Sequence, residues 1–361
     1  MTKGISIYLG LDYGLDENLK LIEKAYKKGF KRIFTSLHIP EANYKRFLKE
    51  FNEIVKTSNK YNMEIIADIS PRTFKYLGCD ANDLKLLKEK GIYGIRTDFG
   101  FTEKEIASFS RNDYGLKIEI NASTITEDFI KKLEGFGANF NNILASHNYY
   151  PRPNTGLSKK TLLEKNNILR KYEIEIGAFI PSQNNPRAPI YEGLPTLEEH
   201  RNLRADICAK HLFVLGIDSV IFGDGIPSDK ELKLVGGIDK DILNLRIKLL
   251  NPTDMEKKIL SLEHTNRIDE ARDVIRSTVG RNIVTDIEKF YPHDNLERNF
   301  GYVTIDNKKY KRYCGELQIP KKELPPDERV NVVGEIVEEE KFLINYIKGN
   351  TKFKFTVEEE K

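Results

Sequence analysis

The chain has 361 residues, more than a single core usually accommodates, so two domains are expected. Hydrophobic residues make up 39% and charged residues 31%, which supplies packed cores and excludes general disorder. Lys and Arg number 58 against 55 Asp and Glu, a balance that gives no reason to expect nucleic acid as a partner.

Residues 1–11 show no basic segment followed by a long apolar run, and no later stretch is long enough to span a bilayer. A cytoplasmic protein with no membrane partner is therefore expected. Cys79, Cys208 and Cys314 are odd in number and widely spaced, offering neither a disulfide framework nor a CxxC metal clip.

From the start to about residue 235, a short β-branched run, a polar or glycine-containing turn and a stretch of helical periodicity alternate eight times. The runs at 5–9, 32–37, 64–69, 94–99, 116–121, 142–147, 175–180 and 219–222 read as strands. Helices are expected at 16–28, 41–61, 83–90, 127–135, 159–171 and 197–211, with Asp16 and Thr126 as N-caps and Gly29 and Gly91 at helix ends. This rhythm predicts an α/β architecture of the (β/α)8 barrel type over residues 1–238. An open dinucleotide-binding sheet is disfavoured, because Gly10-Leu11-Asp12-Tyr13-Gly14 follows the first strand where GxGxxG would stand. Residues 239–361 change character: a helix near 252–263, then short strands at 300–305, 315–319, 331–335, 342–346 and 353–357, predict a small β domain.

A barrel of this kind places its site at the C-terminal ends of the strands. The residues there are polar: Ser36 and His38, Asp68, Arg96 and Asp98, Glu119 and Asn121, His147 to Arg152, and Asp224. Asp68, Asp98, Glu119 and Asp224 outnumber the arginines within the strands, a pattern suited to acid and base catalysis by carboxyl groups held in different protonation states. Asp68 and Asp98 are the leading reacting pair and Glu119 the nearest substitute, with the choice of acid and base open. Arg96 could also serve as an internal ion-pair partner of Glu119 or Asp68.

His38 and His147 are read as neutral hydrogen-bonding groups; no closely spaced His pair on one strand marks a metal site, and no metal or other cofactor is expected. Two long loops, 147–158 and 181–195, are candidates to cover the mouth. Asn148 and Tyr149 in the first, and Glu192 in the second, are substrate-binding candidates, Tyr149 by stacking on a sugar ring. Arg152 and Arg187 are planar charged forks suited to a phosphate or carboxylate. Residues 276–281, RSTVGR, form a weaker anion-binding candidate in the second domain.

The segments ISIYLG at 5–10, FTSLHIPE at 34–41, DISP at 68–71, HNYYPRPNTGLS at 147–158, EGLPTLEEHR at 192–201 and RYCGELQI at 312–319 resemble the 6-phospho-N-acetylmuramidase family. Thr97 departs from the aliphatic residue expected there. The resemblance implies a (β/α)8 TIM barrel followed by a cyclophilin-like β-barrel domain. It also implies an intracellular glycosidase that cleaves N-acetylmuramic acid 6-phosphate from N-acetylglucosamine during cell-wall recycling. The partner would be that phosphorylated amino-sugar disaccharide, whose anionic groups suit Arg152 and Arg187 and whose acetamide could act as an internal nucleophile. Two alternatives stand beside this: a sugar-phosphate isomerase, epimerase or aldolase on the same barrel, and a non-catalytic sugar-phosphate-binding protein. The small domain could cover the barrel mouth or form a homodimer contact.

Overall fold

The computed structural model describes residues 1–11, 13–37, 44–77 and 84–358. Eight strands, β1 (Thr2–Ile7), β2 (Arg32–Ser36), β3 (Glu64–Asp68), β4 (Gly94–Arg96), β5 (Lys117–Asn121), β6 (Ile143–Ser146), β7 (Glu175–Ile180) and β8 (Ser219–Phe222), pair in chain order as parallel neighbours. The barrel closes where Thr2 of β1 meets Ser219 of β8. The strands are rich in buried β-branched residues, such as Ile5, Ile33, Ile65, Ile95, Ile118 and Ile176, because one face fills the barrel and the other meets a helix.

Helices α1 (Leu15–Lys27), α2 (Tyr44–Lys60), α3 (Pro71–Leu77), α4 (Lys85–Glu89), α5 (Glu103–Ser110), α6 (Glu127–Gly135), α7 (Lys159–Arg170), α8 (Ala205–Val214) and α9 (Asp229–Gly236) follow the strands in turn, with both α3 and α4 between β3 and β4. On α1, Leu21, Ile22 and Ala25 are buried, the one-sided spacing that a helix laid on a sheet requires. Thr126 caps α6 as expected, accepting from the Phe129 N–H at 3.1 Å. The cap of α1 is Gly14 rather than Asp16, and its N–H donates to the Glu17 carboxylate at 2.9 Å.

The single helix expected over 197–211 is broken into a 3-10 turn, Glu198–His200, and α8. Glu198 and Arg201 are drawn into the loop backbone beside them, which a continuous helix would prevent. Across β2 to β5 the register aligns Ser36 with Asp68, Asp68 with Arg96 and Arg96 with Glu119. Polar groups from four neighbouring strands therefore stand at one level and on one face.

The chain divides into two compact units, Met1–Gly237 and Ile238–Lys361. The second contains β9 (Ile242–Leu249), α10 (Asp254–Leu260), β10 (His264–Thr265), β11 (Val274–Ser277), β12 (Tyr302–Asp306), β13 (Leu317–Pro320), β14 (Val330–Ile336) and β15 (Lys352–Val357). Its seven strands form one mixed sheet in the order β10-β15-β9-β14-β12-β13-β11. The sheet nearly closes into a barrel, since the Arg267 N–H just beyond β10 donates to the Arg276 carbonyl of β11 at 3.1 Å. Residues 342–346 are not a strand but the end of a run of 3-10 turns, Glu338–Tyr346. Buried Glu340 holds that run to β9, accepting from the Arg246 N–H at 2.7 Å and its Nε at 2.9 Å. Among the described residues no helix is long and apolar enough to cross a membrane.

Candidate active site

Arg96 ends β4 with 3% of its side chain exposed, and the surrounding carboxylates are arranged about its guanidinium. Glu119 Oε1 lies 3.5 Å from Nη1 and also accepts from Ser146 Oγ at 2.5 Å. Arg96 donates from Nη1 to Ser146 Oγ as well, and from Nη2 to Asn148 Oδ1 at 2.5 Å. Asp98, just past β4, stands 3.8 Å from Nη2 and accepts from Asn121 Nδ2 at 2.6 Å. Asp68 accepts from Ser36 Oγ at 3.3 Å. Burial pushes the Asp68 carboxyl up to about 6; Arg96 opposes that rise and Asp98 adds to it. Three carboxyl groups thus share one guanidinium, which cannot neutralise them all.

A cavity of about 200 Å³ opens beside this cluster, with Asp68, Arg96, Asp98 and Asn148 on its polar side. Phe34, Tyr149 and Phe179 form the apolar side. Tyr149 meets Phe34 and Phe179 edge to face at centroid distances of 6.3 and 5.1 Å, and Tyr8 extends the cluster at 6.3 Å from Tyr149. The Tyr8 hydroxyl donates to the Gly223 carbonyl at 2.7 Å. Arg187 comes down on these rings: its guanidinium carbon lies 3.9 Å from the Tyr8 centroid, and Nη1 reaches the Tyr149 hydroxyl at 3.4 Å. Among the described residues no carboxylate lies within 4 Å of this guanidinium.

Asp224 is placed differently from the expectation of four converging carboxylates. It is fully buried, and its oxygens accept the backbone N–H groups of Ser182 at 2.9 Å, Leu194 at 3.1 Å and Arg187 at 2.9 Å. It fastens both ends of loop 181–195 to the end of β8 and is no member of the Arg96 cluster. The loop lies so close there that a Cβ on Gly223 would meet the Leu194 carbonyl oxygen at 2.4 Å. His147 is likewise directed away from the cavity. Ser146 faces the barrel interior, so alternation turns His147 outward, where Nε2 pairs with Asn166 Oδ1 of α7 at 2.9 Å. Burial lowers its pKa to about 4, which leaves a neutral ring between barrel and helix.

Of the other expected residues, Ser36, Asn121, Asn148, Tyr149 and Arg187 gather about the Arg96 cluster and its aromatic wall, whereas Arg152 and Glu192 are exposed on their loops. His38 lies outside the described residues. Residues without a distinctive sequence signal complete the site: Tyr8, Phe34 and Phe179 read as ordinary strand apolar positions. Arg201 was also unforeseen. Only 6% exposed, it ties the two loops together by donating to the carbonyls of Tyr150 and Gly193, both at 3.0 Å, while Glu198 holds its Nε at 2.7 Å.

Glu199, His200 and His211 bring metal-competent atoms within 4.8 Å of one another, but His200 Nε2 and His211 Nδ1 already share a hydrogen bond at 2.8 Å.

Comparison with protein families matches residues 3–236 to the N-terminal model of 6-phospho-N-acetylmuramidase and 243–356 to its C-terminal model. The chain belongs to this family. Its members are glycosidases, and this chain is an enzyme of that kind. A solved structure of an uncharacterised B. cereus protein is similar at 35% identity and a TM-score of 0.86, over 98% of this chain and 99% of that one. A conserved Enterococcus faecalis protein of unknown function is similar at 33% identity and a TM-score of 0.77, over 99% and 97% of the two chains. Among curated proteins no match was found.

Proposed function

We propose that this enzyme works in the cytoplasm and hydrolyses the bond between N-acetylmuramic acid 6-phosphate and N-acetylglucosamine, as a step of cell-wall recycling. The observation that carries the reading is the pair Asp68 and Asp98 on one cavity, sharing a single arginine, with Asp68 held near 6 by burial. In this reading protonated Asp68 gives its proton to the glycosidic oxygen as the bond to the muramic C1 breaks. Asp98, steadied by Asn121, either activates water or orients the 2-acetamido group for internal attack on C1.

Tyr149, Phe34 and Phe179 offer an apolar face for a sugar ring, and Arg187 supplies a cation for the phosphate. Glu119 is a positioning residue here, since Ser146 and Arg96 occupy its carboxylate. Asp224 acts on the substrate only through the loop that it fastens.

The test is to incubate the protein with the muramyl disaccharide, with and without its 6-phosphate, and to follow N-acetylglucosamine release. Cleavage of the phosphorylated form alone is expected; equal cleavage of both forms would sink the proposed anion site. Arg187→Gln should raise KM for the phosphorylated sugar by about tenfold with little change in kcat, as loss of one charge-assisted contact implies.

A further inference from the structure

The second unit holds a basic pocket of about 520 Å³ that the proposed hydrolysis does not use. Arg267, Arg281, Lys311 and Arg312 line it together with Thr278 and Asn282, and among the described residues no carboxylate does. Its walls come from Arg267 just beyond β10, the segment after β11 and the segment before β13. These segments rest on each other, since a Cβ on Gly280 would meet the Gly315 carbonyl oxygen at 2.3 Å.

The guanidinium groups are set in place by neighbours. Glu316, 1% exposed, anchors Arg276 at 2.8 Å and Arg281 at 3.4 Å, and Asp269 grips Arg267 at 2.7 Å. Arg312 donates to the Tyr313 hydroxyl at 2.8 Å, with its guanidinium carbon 4.9 Å from that ring centroid. Among the described residues neither Lys311 nor Arg312 has a carboxylate within 4 Å. Of the four cations that line the pocket, Arg267 pairs with Asp269 and Arg281 shares Glu316 with Arg276, so the lining carries positive charge in excess of the carboxylates paired with it.

We propose that this pocket is a second ligand site, built from residues of the second unit, which takes a small phosphomonoester on a hydroxylated scaffold such as a phosphorylated sugar. Three planar forks and an ammonium suit a dianionic phosphate better than a single carboxylate. Thr278 and Asn282 add a hydroxyl and an amide for the scaffold, Val284 and Ile287 an apolar edge, and the volume is that of a small-molecule site. The site stands on these residues alone and does not depend on the reading of the barrel.

The experiment is calorimetric titration of the full chain with glucosamine 6-phosphate, with glucosamine as control. Wild type, Arg187→Gln and the double variant Lys311→Glu/Arg312→Glu are compared. Arg187→Gln should keep a binding event, the double variant should weaken that event by at least about tenfold, and glucosamine should not bind. The proposal is overturned if the double variant binds as wild type does, if Arg187→Gln shows no binding, or if glucosamine binds equally well. Should the charge reversal unfold the protein, Arg312→Gln replaces it and must weaken binding about threefold to uphold the site. Failure of the barrel reading shows separately, as unchanged disaccharide cleavage by Arg187→Gln.

Discussion

Arg32 and Arg96 are each 3% exposed, yet they stand in different company. Arg32 opens β2 and reaches Glu64 at 2.7 Å, Glu175 at 2.8 Å and Ser219 Oγ at 3.3 Å, all at strand starts. Its two carboxylates keep about a third of their side chains in water, at 31% and 34% exposure. Arg96 ends β4 among Asp68, Asp98 and Glu119, where acid is in surplus and a cavity borders the surplus. A buried arginine therefore closes one end of the barrel and another leaves the opposite end with acid in excess, and it is at that second end that the proposed function puts the chemistry.

The sharpest way to break this contrast is to remove a charge at each end. Asp68→Asn should lower turnover on the phosphorylated disaccharide by at least about a hundredfold. A steady-state assay showing near-normal kcat would remove Asp68 from the chemistry. Arg32→Met should instead cost about 2 kcal/mol of stability in urea unfolding, below the value for a sealed pair because both glutamates can rehydrate, with turnover nearly unchanged.

The pH dependence sharpens the contrast further. The folded pKa of Asp68, about 6, lies above its ordinary value of 3.8, so the protonated form favours folding. Its contribution to stability is complete below about 4 and is lost as pH rises through about 6. Asp68→Asn, uncharged at every pH, should erase that loss and melt higher than wild type above pH 6. Melting curves from pH 4 to pH 8 that run parallel for the two proteins would contradict the raised pKa. The smallest effect is expected at Asp224→Asn, which retains one oxygen acceptor. It should cost about 1 kcal/mol in unfolding and raise KM a few-fold by loosening loop 181–195.

The barrel was legible because its signal is periodic: each short β-branched run ends in polar residues, and the order of runs is the order of strands. The carboxylates of β3, β4 and β5 could be grouped for the same reason, since adjacent strands with a common face bring their ends together. What stayed hidden depends on partners far along the chain. Asp224 looks like any strand-end acid until Ser182, Arg187 and Leu194 turn their N–H groups toward it. His147 follows the last interior-facing residue of β6, so a one-residue difference moves it to the opposite face. In the second unit, the apolar residues at 342–346 gave a strand-like pattern, and only the Glu340 pairing with Arg246 reveals the 3-10 path.

The fastening of loop 181–195 bears on how such an enzyme could be retargeted. Its hooks lie in Asp224, Arg201 and Glu231, which accepts from the Gln183 N–H at 2.8 Å, and none of these belongs to the loop itself. A foreign loop grafted between 181 and 195 would have to place its own backbone N–H and C=O groups where these three anchors can reach them. Diversification confined to 189–192, where the side chains are exposed, keeps every anchor and offers a safer starting library for altered sugar preference.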